Sequence, residues 1–365
     1  MKRISVGIIG ASPLNPGWAV AAHLPAVRAL EAFELRAVAT SNSKSAAAAA
    51  LAYGVPAFPS YAELIAHPGI DLVVVTVRLP YHYELISAAL AAGKMVFSEW
   101  PLGRGLAEAE DLASQAASVG VRTVIGLQGR FSPAIQRARE LLETGYVGDV
   151  LATTLVGSGI GWGPETDKAH AYVYDVTQGA TTLSVPTLHA VDALQYMLGD
   201  FASIGAHLGV GRRFVRLKDE DRLLAVSAPD QVAIIGRLRS GATASIFFRG
   251  GVSRGSNLHW EINGTDGDLV LESPIGNVQV ADLKLSGGRD GDVSVSEMGF
   301  SVTAQSLVPE VPGGNVLRLY AQLAEDIRSG THVVPDFGHA LVHHRLLDAI
   351  EKASASGQVQ LIAPR

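Results

Sequence analysis

The sequence predicts an α/β protein: a doubly wound parallel sheet at the amino-terminal end, then an α+β domain on a large, mostly antiparallel open sheet. Three observations carry this. Up to about residue 125 the chain alternates short β-rich runs with helical ones, as a doubly wound sheet requires. After Arg130 several strand-like runs follow one another with no helix between them. The chain also has 365 residues, 48% apolar and 18% charged, enough to bury two ordinary globular cores. The expected domains are 1–130 and 131–365, with the C-terminal helices able to pack back on the first domain.

Ile4–Ile9 reads as the first strand, Trp18–Glu31 as a helix and Leu35–Thr40 as the second strand. Ser45–Tyr53 is alanine-dense, which is good helix propensity. Leu72–Val77 is a valine-dominated run suited to a strand covered on both faces. Glu84–Ala92 follows as a helix, Met95–Ser98 as a strand, Leu106–Val119 as a helix and Thr123–Leu127 as the sixth strand. In the second domain Ile135–Thr144 is helical. Val150–Val156, Ala202–Leu208, Val232–Leu238, Thr243–Arg249, His259–Gly264 and Leu269–Glu272 are strands, with a turn at 264–268 between the last two. Thr182–Gly199, Val316–Arg328 and Phe337–Ser354 are helices, and no internal repeat is present.

Composition excludes several function classes. A net charge of −6 leaves no excess of cations to neutralise phosphates, so nucleic acid is not the expected partner. The absence of cysteine excludes disulfides, thiolate catalysis and Cys-ligated metals. No apolar run approaches the ~18–20 residues that span a bilayer. The opening MKRISVGIIGA has a charged start like a signal peptide, but its apolar stretch is short and runs straight into a nucleotide-binding pattern. A cytoplasmic protein with no membrane partner is the expectation.

Residues 7–26 combine a strand end, a small-residue turn and a helix start, where a dinucleotide pyrophosphate rests on backbone N–H groups. The usual G-x-G-x-x-G is altered. Gly10 is present, Ser12 replaces the second glycine, and a proline-containing insertion precedes Gly17 and Trp18. A plain βα turn is the alternative reading. The end of strand 2 addresses the choice of cofactor. Sites for NAD place Asp or Glu there, against the ribose hydroxyls. Here the chain reads Thr40-Ser41-Asn42-Ser43-Lys44, and hydroxyls with a lysine suit a 2′-phosphate. NADP is therefore expected over NAD, unless Lys44 merely starts the next helix. Val77, His82, Gln128 and Arg130 end or follow strands at the carboxyl edge, where ligands of such sheets bind. His82 is expected to shape the cleft. Arg130 is open to holding a phosphate, a substrate hydroxyl or a helix C-terminus.

The stretches AALAAGKMVFSEWPLG (88–103), IGLQGRFSPAI (125–135), GYVGDV (145–150), GTDGDLVLE (264–272) and DFGHALVHHRLLDAIEKASASG (336–357) resemble the glucose–fructose oxidoreductase/inositol dehydrogenase (Gfo/Idh/MocA) family, in the family's order and over nearly the whole chain. The resemblance implies a Rossmann domain followed by a domain whose open sheet packs against another subunit, as a homodimer or homotetramer. Within the family the galactose/lactose metabolism regulatory branch is the most similar. The shared features are Gly17-Trp18-Ala19, Glu99-Trp100, Gly126–Arg130 with Ser132-Pro133, and Tyr174-Asp175. That branch is understood as a sensor.

Family enzymes carry Glu-Lys-Pro where this chain has Glu99-Trp100-Pro101, and an Asp four residues before a His where it has Val185 and His189. Two of three polar groups are thus replaced. Losing the proton partner of an alcohol typically costs ~10²–10⁴-fold in rate. His189 is the remaining candidate, and Asp192, three residues on and on the same helical face, is placed to orient it. The alternative is a structural histidine. Lys168, Tyr172 and Tyr174 lie in a long, aromatic, glycine-rich loop (Gly157–Gly179) of the kind that carries substrate contacts, together with Trp162. Either tyrosine alone reads equally as a loop anchor. Trp100 offers a flat face to a nicotinamide or a sugar ring. His343-His344 are adjacent on a helix, diverge by about 100°, and do not suit a shared metal. Two functions stay open: an oxidoreductase acting on a sugar-like or carbonyl/imine compound, and a non-catalytic dinucleotide-responsive regulator.

Overall fold

The computed structural model describes residues 3–299 and 313–364. It divides into two compact units, Met1–Gln128 with Thr303–Leu341, and Gly129–Val302 with Val342–Arg365. The break falls two residues before the expected one, and a stretch of the tail is grouped with the first unit.

In the first unit six strands run parallel: β1 (Ile4–Ile9), β2 (Phe33–Ala39), β3 (Ala57–Phe58), β4 (Leu72–Val75), β5 (Met95–Glu99) and β6 (Thr123–Gly126), in the order β3-β2-β1-β4-β5-β6. The helices between them are α1 (Leu24–Ala29), α2 (Ser43–Tyr53), α3 (Tyr61–Ala66), α4 (His82–Ala91) and α5 (Leu106–Val119). Every residue of β1 and β4 is buried, which is why both read as unbroken apolar runs and not as alternation. The two-residue β3 and the helix α3 are additions to the sequence reading. The expected helix Trp18–Glu31 is interrupted: Ala19–His23 is a π-turn and α1 begins only at Leu24. Pro25 lies in the first turn of α1 and has no N–H to give the regular ladder. Leu24 N–H instead reaches back five residues to Ala19 O.

The second unit opens with α6 (Pro133–Glu143), followed by β7 (Val150–Gly159), β8 (Glu165–Thr166), α7 (Leu188–Leu198), β9 (Phe201–Gly209), β10 (Phe214–Leu217), β11 (Arg222–Ala225) and β12 (Gln231–Leu238). Then come β13 (Thr243–Gly250), β14 (Leu258–Gly264), β15 (Gly267–Ser273), β16 (Lys284–Arg289) and β17 (Ser296–Glu297). In the tail, α8 (Gly314–Ser329) belongs to the first unit, α9 (Phe337–Ser356) begins in the first and continues into the second, and β18 (Gln360–Leu361) closes the order in the second. Among the described residues nine strands form one sheet, β17-β16-β15-β14-β7-β13-β12-β9-β18, antiparallel except for the pair β7–β13. One face carries the core, with Leu155, Ile246, Phe248, Trp260 and Ile262 all buried. The alternate residues Thr154, Ser245 and Ile235 are exposed. This is the period-2 pattern the sequence shows. The turn expected at 264–268 is present, and Gly264 is required there because a Cβ would lie 2.1 Å from Val147 O.

A second sheet, β11-β10-β8, has no counterpart in the sequence reading. It takes in part of the expected loop Gly157–Gly179, whose first three residues also prolong β7. The helix expected at Thr182–Gly199 again begins with a π-turn, Leu183–Thr187, before α7. Its cause is explicit. Pro186 cannot donate to Thr182 O, and Thr187 does so instead through its backbone N (3.2 Å) and its Oγ1 (2.8 Å).

Candidate functional site

The order of the first sheet reverses between β1 and β4, and ligands of open parallel sheets bind outside the carboxyl ends of the strands at that point. Gly10, directly after β1, has φ 104°. A Cβ there would stand 3.1 Å from Thr76 O and Oγ1 and from Val77 Cγ1, so only glycine lets these two loops approach. Ser12 is half-buried, and residues 14–17 are exposed. Gly17 O accepts the N–H groups of Val20 and Ala21, both at 3.0 Å, so the helical segment starts immediately after the insertion. Trp18 caps that segment. Its Nε1 is buried and meets no hydrogen-bond partner among the described residues.

After β2, Asn42 Oδ1 accepts from Ser45 N at 2.9 Å and caps α2, while Asn42 Nδ2 donates to Ser41 Oγ. Lys44 is the second residue of α2, exposed, with no ion-pair partner among the described residues. Helix start and free cation are thus both true of it. His82 sits between two loops, with Nε2 3.0 Å from Val77 O and Nδ1 3.0 Å from Pro101 O. Burial lowers its pKa, against the raising effect of the Val77 and Pro101 carbonyls. It joins the loops after β4 and β5, the shaping role the sequence suggests. Gln128, after β6, is 1% exposed, and its Oε1 meets no hydrogen-bond partner among the described residues.

Glu99 has a partner that sequence reasoning missed. Its Oε1 is 3.0 Å from His23 Nε2, and His23 Nδ1 is 3.0 Å from Tyr320 Oη. A carboxylate only accepts, so Nε2 carries the hydrogen toward Glu99. Nδ1 and the Tyr320 hydroxyl share the second hydrogen bond. His23 and Tyr320 are fully buried, and burial, with Glu99 adding, raises the Tyr320 phenol well above its ordinary pKa. The chain ties the end of β5 to the helical segment after β1 and to α8. One signal was present: His23 is a polar residue on the buried stripe Ala19, Ala22, Ala26, Val27. Trp100, next to Glu99, is 4% exposed, and its bond to Pro101 is cis. The indole is packed inside the protein and is not presented as an open platform.

In the second unit His189 lies on α7 and is 3% exposed. Burial pushes its imidazole down to about 3, with Asp192 opposing and His343 adding, so near neutral pH it is an uncharged ring and a weak base. Its Nδ1 meets no hydrogen-bond partner among the described residues. Asp192, expected to orient that imidazole, has Arg130 as a hydrogen-bonded partner. That carboxylate accepts from Arg130 through Nε (3.0 Å) and Nη2, a buried two-point pair. Arg130 in turn is committed to Asp192, with its guanidinium carbon 5.1 Å from the centre of the Tyr196 ring, and is not left to hold a phosphate.

The loop candidates separate by environment. Lys168 is exposed, its Nζ 3.2 Å from Glu220 Oε1, a surface ion pair instead of a proton carrier in a cleft. Tyr174 is buried, and its single hydroxyl hydrogen faces the carbonyls of Gly163 (3.0 Å) and Gly161 (3.2 Å). It anchors the loop, and burial raises its pKa. Tyr172 is half-buried. Trp162 is buried with Nε1 3.4 Å from Ala180 O, and is a packing residue. His343 Nε2 bonds Leu188 O at 2.8 Å, and no group of three or more metal-ligating side chains occurs among the described residues.

A parallel sheet with this crossover, a positive-φ glycine at the end of β1 and an exposed helix start are the parts of a Rossmann-type dinucleotide fold. These features define the class, a Rossmann-fold protein whose chain continues into a domain built on a large sheet. Residues 4–127 match the family model described as oxidoreductase family, NAD-binding Rossmann fold, and residues 133–273 match the C-terminal domain of Gal80p. The chain belongs to the glucose–fructose oxidoreductase/inositol dehydrogenase family. It is 30% identical to the dehydrogenase aclE of Aspergillus oryzae over 98% of both chains. It is 29% identical to the galactose/lactose metabolism regulatory protein GAL80 of Saccharomyces cerevisiae, over 97% of this chain and 93% of that one. The solved structure of a super-repressor mutant of Gal80p from S. cerevisiae matches with a TM-score of 0.88 at 28% identity, over 99% of this chain and 98% of that one.

Proposed function

We propose that the protein is an NADP(H)-dependent oxidoreductase that transfers hydride to or from a sugar-like, carbonyl or imine compound in the cytoplasm, with Trp100 in the place of the family's lysine. The observation that carries the cofactor choice is the end of β2: no carboxylate lies between Thr40 and Lys44, and the Lys44 ammonium is exposed and unpaired among the described residues. Gly10, Ser12 and the segment starting at Gly17 would cradle the pyrophosphate, and Ser41 and Lys44 the 2′-phosphate. Bound there, the reduced nicotinamide supplies the hydride. His189, uncharged near neutrality, donates or accepts a hydrogen bond and does not store a proton. This favours a substrate that brings its own proton, such as an iminium ion, over an alcohol that needs a base.

The test has two stages. Calorimetry with NADPH and NADH should show tighter binding of NADPH, and Lys44→Glu should remove that preference. Absence of binding by both cofactors refutes the reading. A screen of polyols, aldehydes, ketones and cyclic imines, followed at the NADPH absorbance, should then find turnover. A non-catalytic regulator is the second reading. Trp100 and Val185 favour it, as does the commitment of Lys168, Tyr174 and Asp192 to partners elsewhere. It forecasts tight cofactor binding with no turnover across the screen. On either reading the uncovered face of the large sheet, where Ile235 is 61% and Leu151 57% exposed, is proposed as the surface of a homo-oligomer.

A further inference from the structure

A cavity of ≈420 Å³ opens in the second unit where the loop between β13 and β14 meets the end of β15 and the start of β16. That volume is in the range of small-molecule sites, about 300–1,000 Å³. Its lining includes Ser253, Arg254, Ser256, Ser273 and Lys284, and Glu272 is its one carboxylate. Neither Arg254 nor Lys284 has an ion-pair partner among the described residues. Glu272 is already engaged, its Oε1 2.9 Å from His259 Nδ1, while His259 Nε2 lies 2.8 Å from Glu261 Oε1. Those two carboxylates, Glu261 most, raise the pKa of His259 and favour its charged form.

Two further features fit an anion. The loop is preorganised by Asn257, whose Oδ1 accepts from Ser253 N (2.8 Å) and Ser158 Oγ (2.6 Å) and whose Nδ2 donates to Ser253 O (3.1 Å). Ser253 Oγ and Ser273 Oγ each accept a backbone N–H, from Gly255 (3.1 Å) and Ile275 (3.3 Å), which leaves both hydroxyl hydrogens to donate. Cations and hydroxyl donors are thus concentrated in one concavity of a chain whose net charge is −6.

We propose that this cavity binds a small phosphate monoester, with Arg254 and Lys284 on the anionic oxygens and the serine hydroxyls on the phosphate or its polyol. The site lies wholly within the second unit and does not depend on the cofactor reading. Calorimetry with inorganic phosphate and with glucose 6-phosphate, in saturating NADP so that the nucleotide turn is not available to phosphate, tests it; neutral glucose is the control. Both anions should bind saturably and glucose should not. Arg254→Ala and Lys284→Ala, exposed positions whose folding is checked by circular dichroism, should each weaken binding about ten-fold or more. No saturable binding up to about 10 mM, or binding that both variants retain in full, overturns the proposal. Failure of NADP itself to bind would refute the cofactor reading and leave this result readable from the two variants.

Discussion

The buried histidines set how the protein responds to acid. His189 and His344 are almost fully buried, and burial pushes each imidazole down to about 3, with His343 contributing to both. In the unfolded chain both return to the ordinary value near 6.5. Between those values the unfolded chain binds more protons than the folded one, so stability falls as pH drops below about 6.5 and is fully present above it. At about pH 5.5 each histidine removes somewhat over 1 kcal/mol, and the pair about 3 kcal/mol, a large share of the ~5–15 kcal/mol typical of a domain. Urea unfolding at pH 7.5 and 5.5 measures it, and the midpoint should move by about 1 M. Both conditions lie above the ordinary range of carboxylates, Glu351 being the one that burial, with Asp348 adding, raises toward them. Replacing either histidine by glutamine should halve the shift. A midpoint that does not change between the two pH values, or variants that keep the whole shift, would refute the assignment of neutral buried rings.

Three other perturbations follow from named partners. Arg130→Ala leaves the Asp192 carboxylate buried without its two-point partner and should cost about 3–5 kcal/mol in chemical denaturation. Tyr320→Phe removes the hydroxyl partner of His23 Nδ1 and should cost about 1–3 kcal/mol, read as a lower Tm, with the Glu99–His23 contact retained. Ile235→Glu places a charge on the uncovered sheet face and should shift the protein to a smaller species in light scattering, with unchanged circular dichroism.

Much of the fold was legible because its signals are local. The valine run of β4, the limits of α5 and the alternation in β12 to β15 each follow from residues within one element. What escaped was either too short or non-local. Two residues at Ala57–Phe58 cannot show a period, and β10 and β11 are broken by the charged turn at 218–222. The prolines were visible, but their effect, a widened turn rather than a helix end, depends on Leu24 and Thr187 finding acceptors five residues back. Side-chain commitments were the least accessible. Arg130 and Asp192 are 62 positions apart, and His23 and Tyr320 are 297 apart. Nothing near Lys168 in the sequence distinguishes a surface ion pair from a proton carrier.

Among the described residues the large sheet ends in β17 at one side and β18 at the other, each two residues long. Terminal strands so brief offer little ladder of their own to a neighbouring chain, although β18 covers only Ser203 and Ile204 of β9. Lateral growth into a continuous ribbon is thereby discouraged, and the broad flank of the sheet is left as the route by which another molecule can cover it.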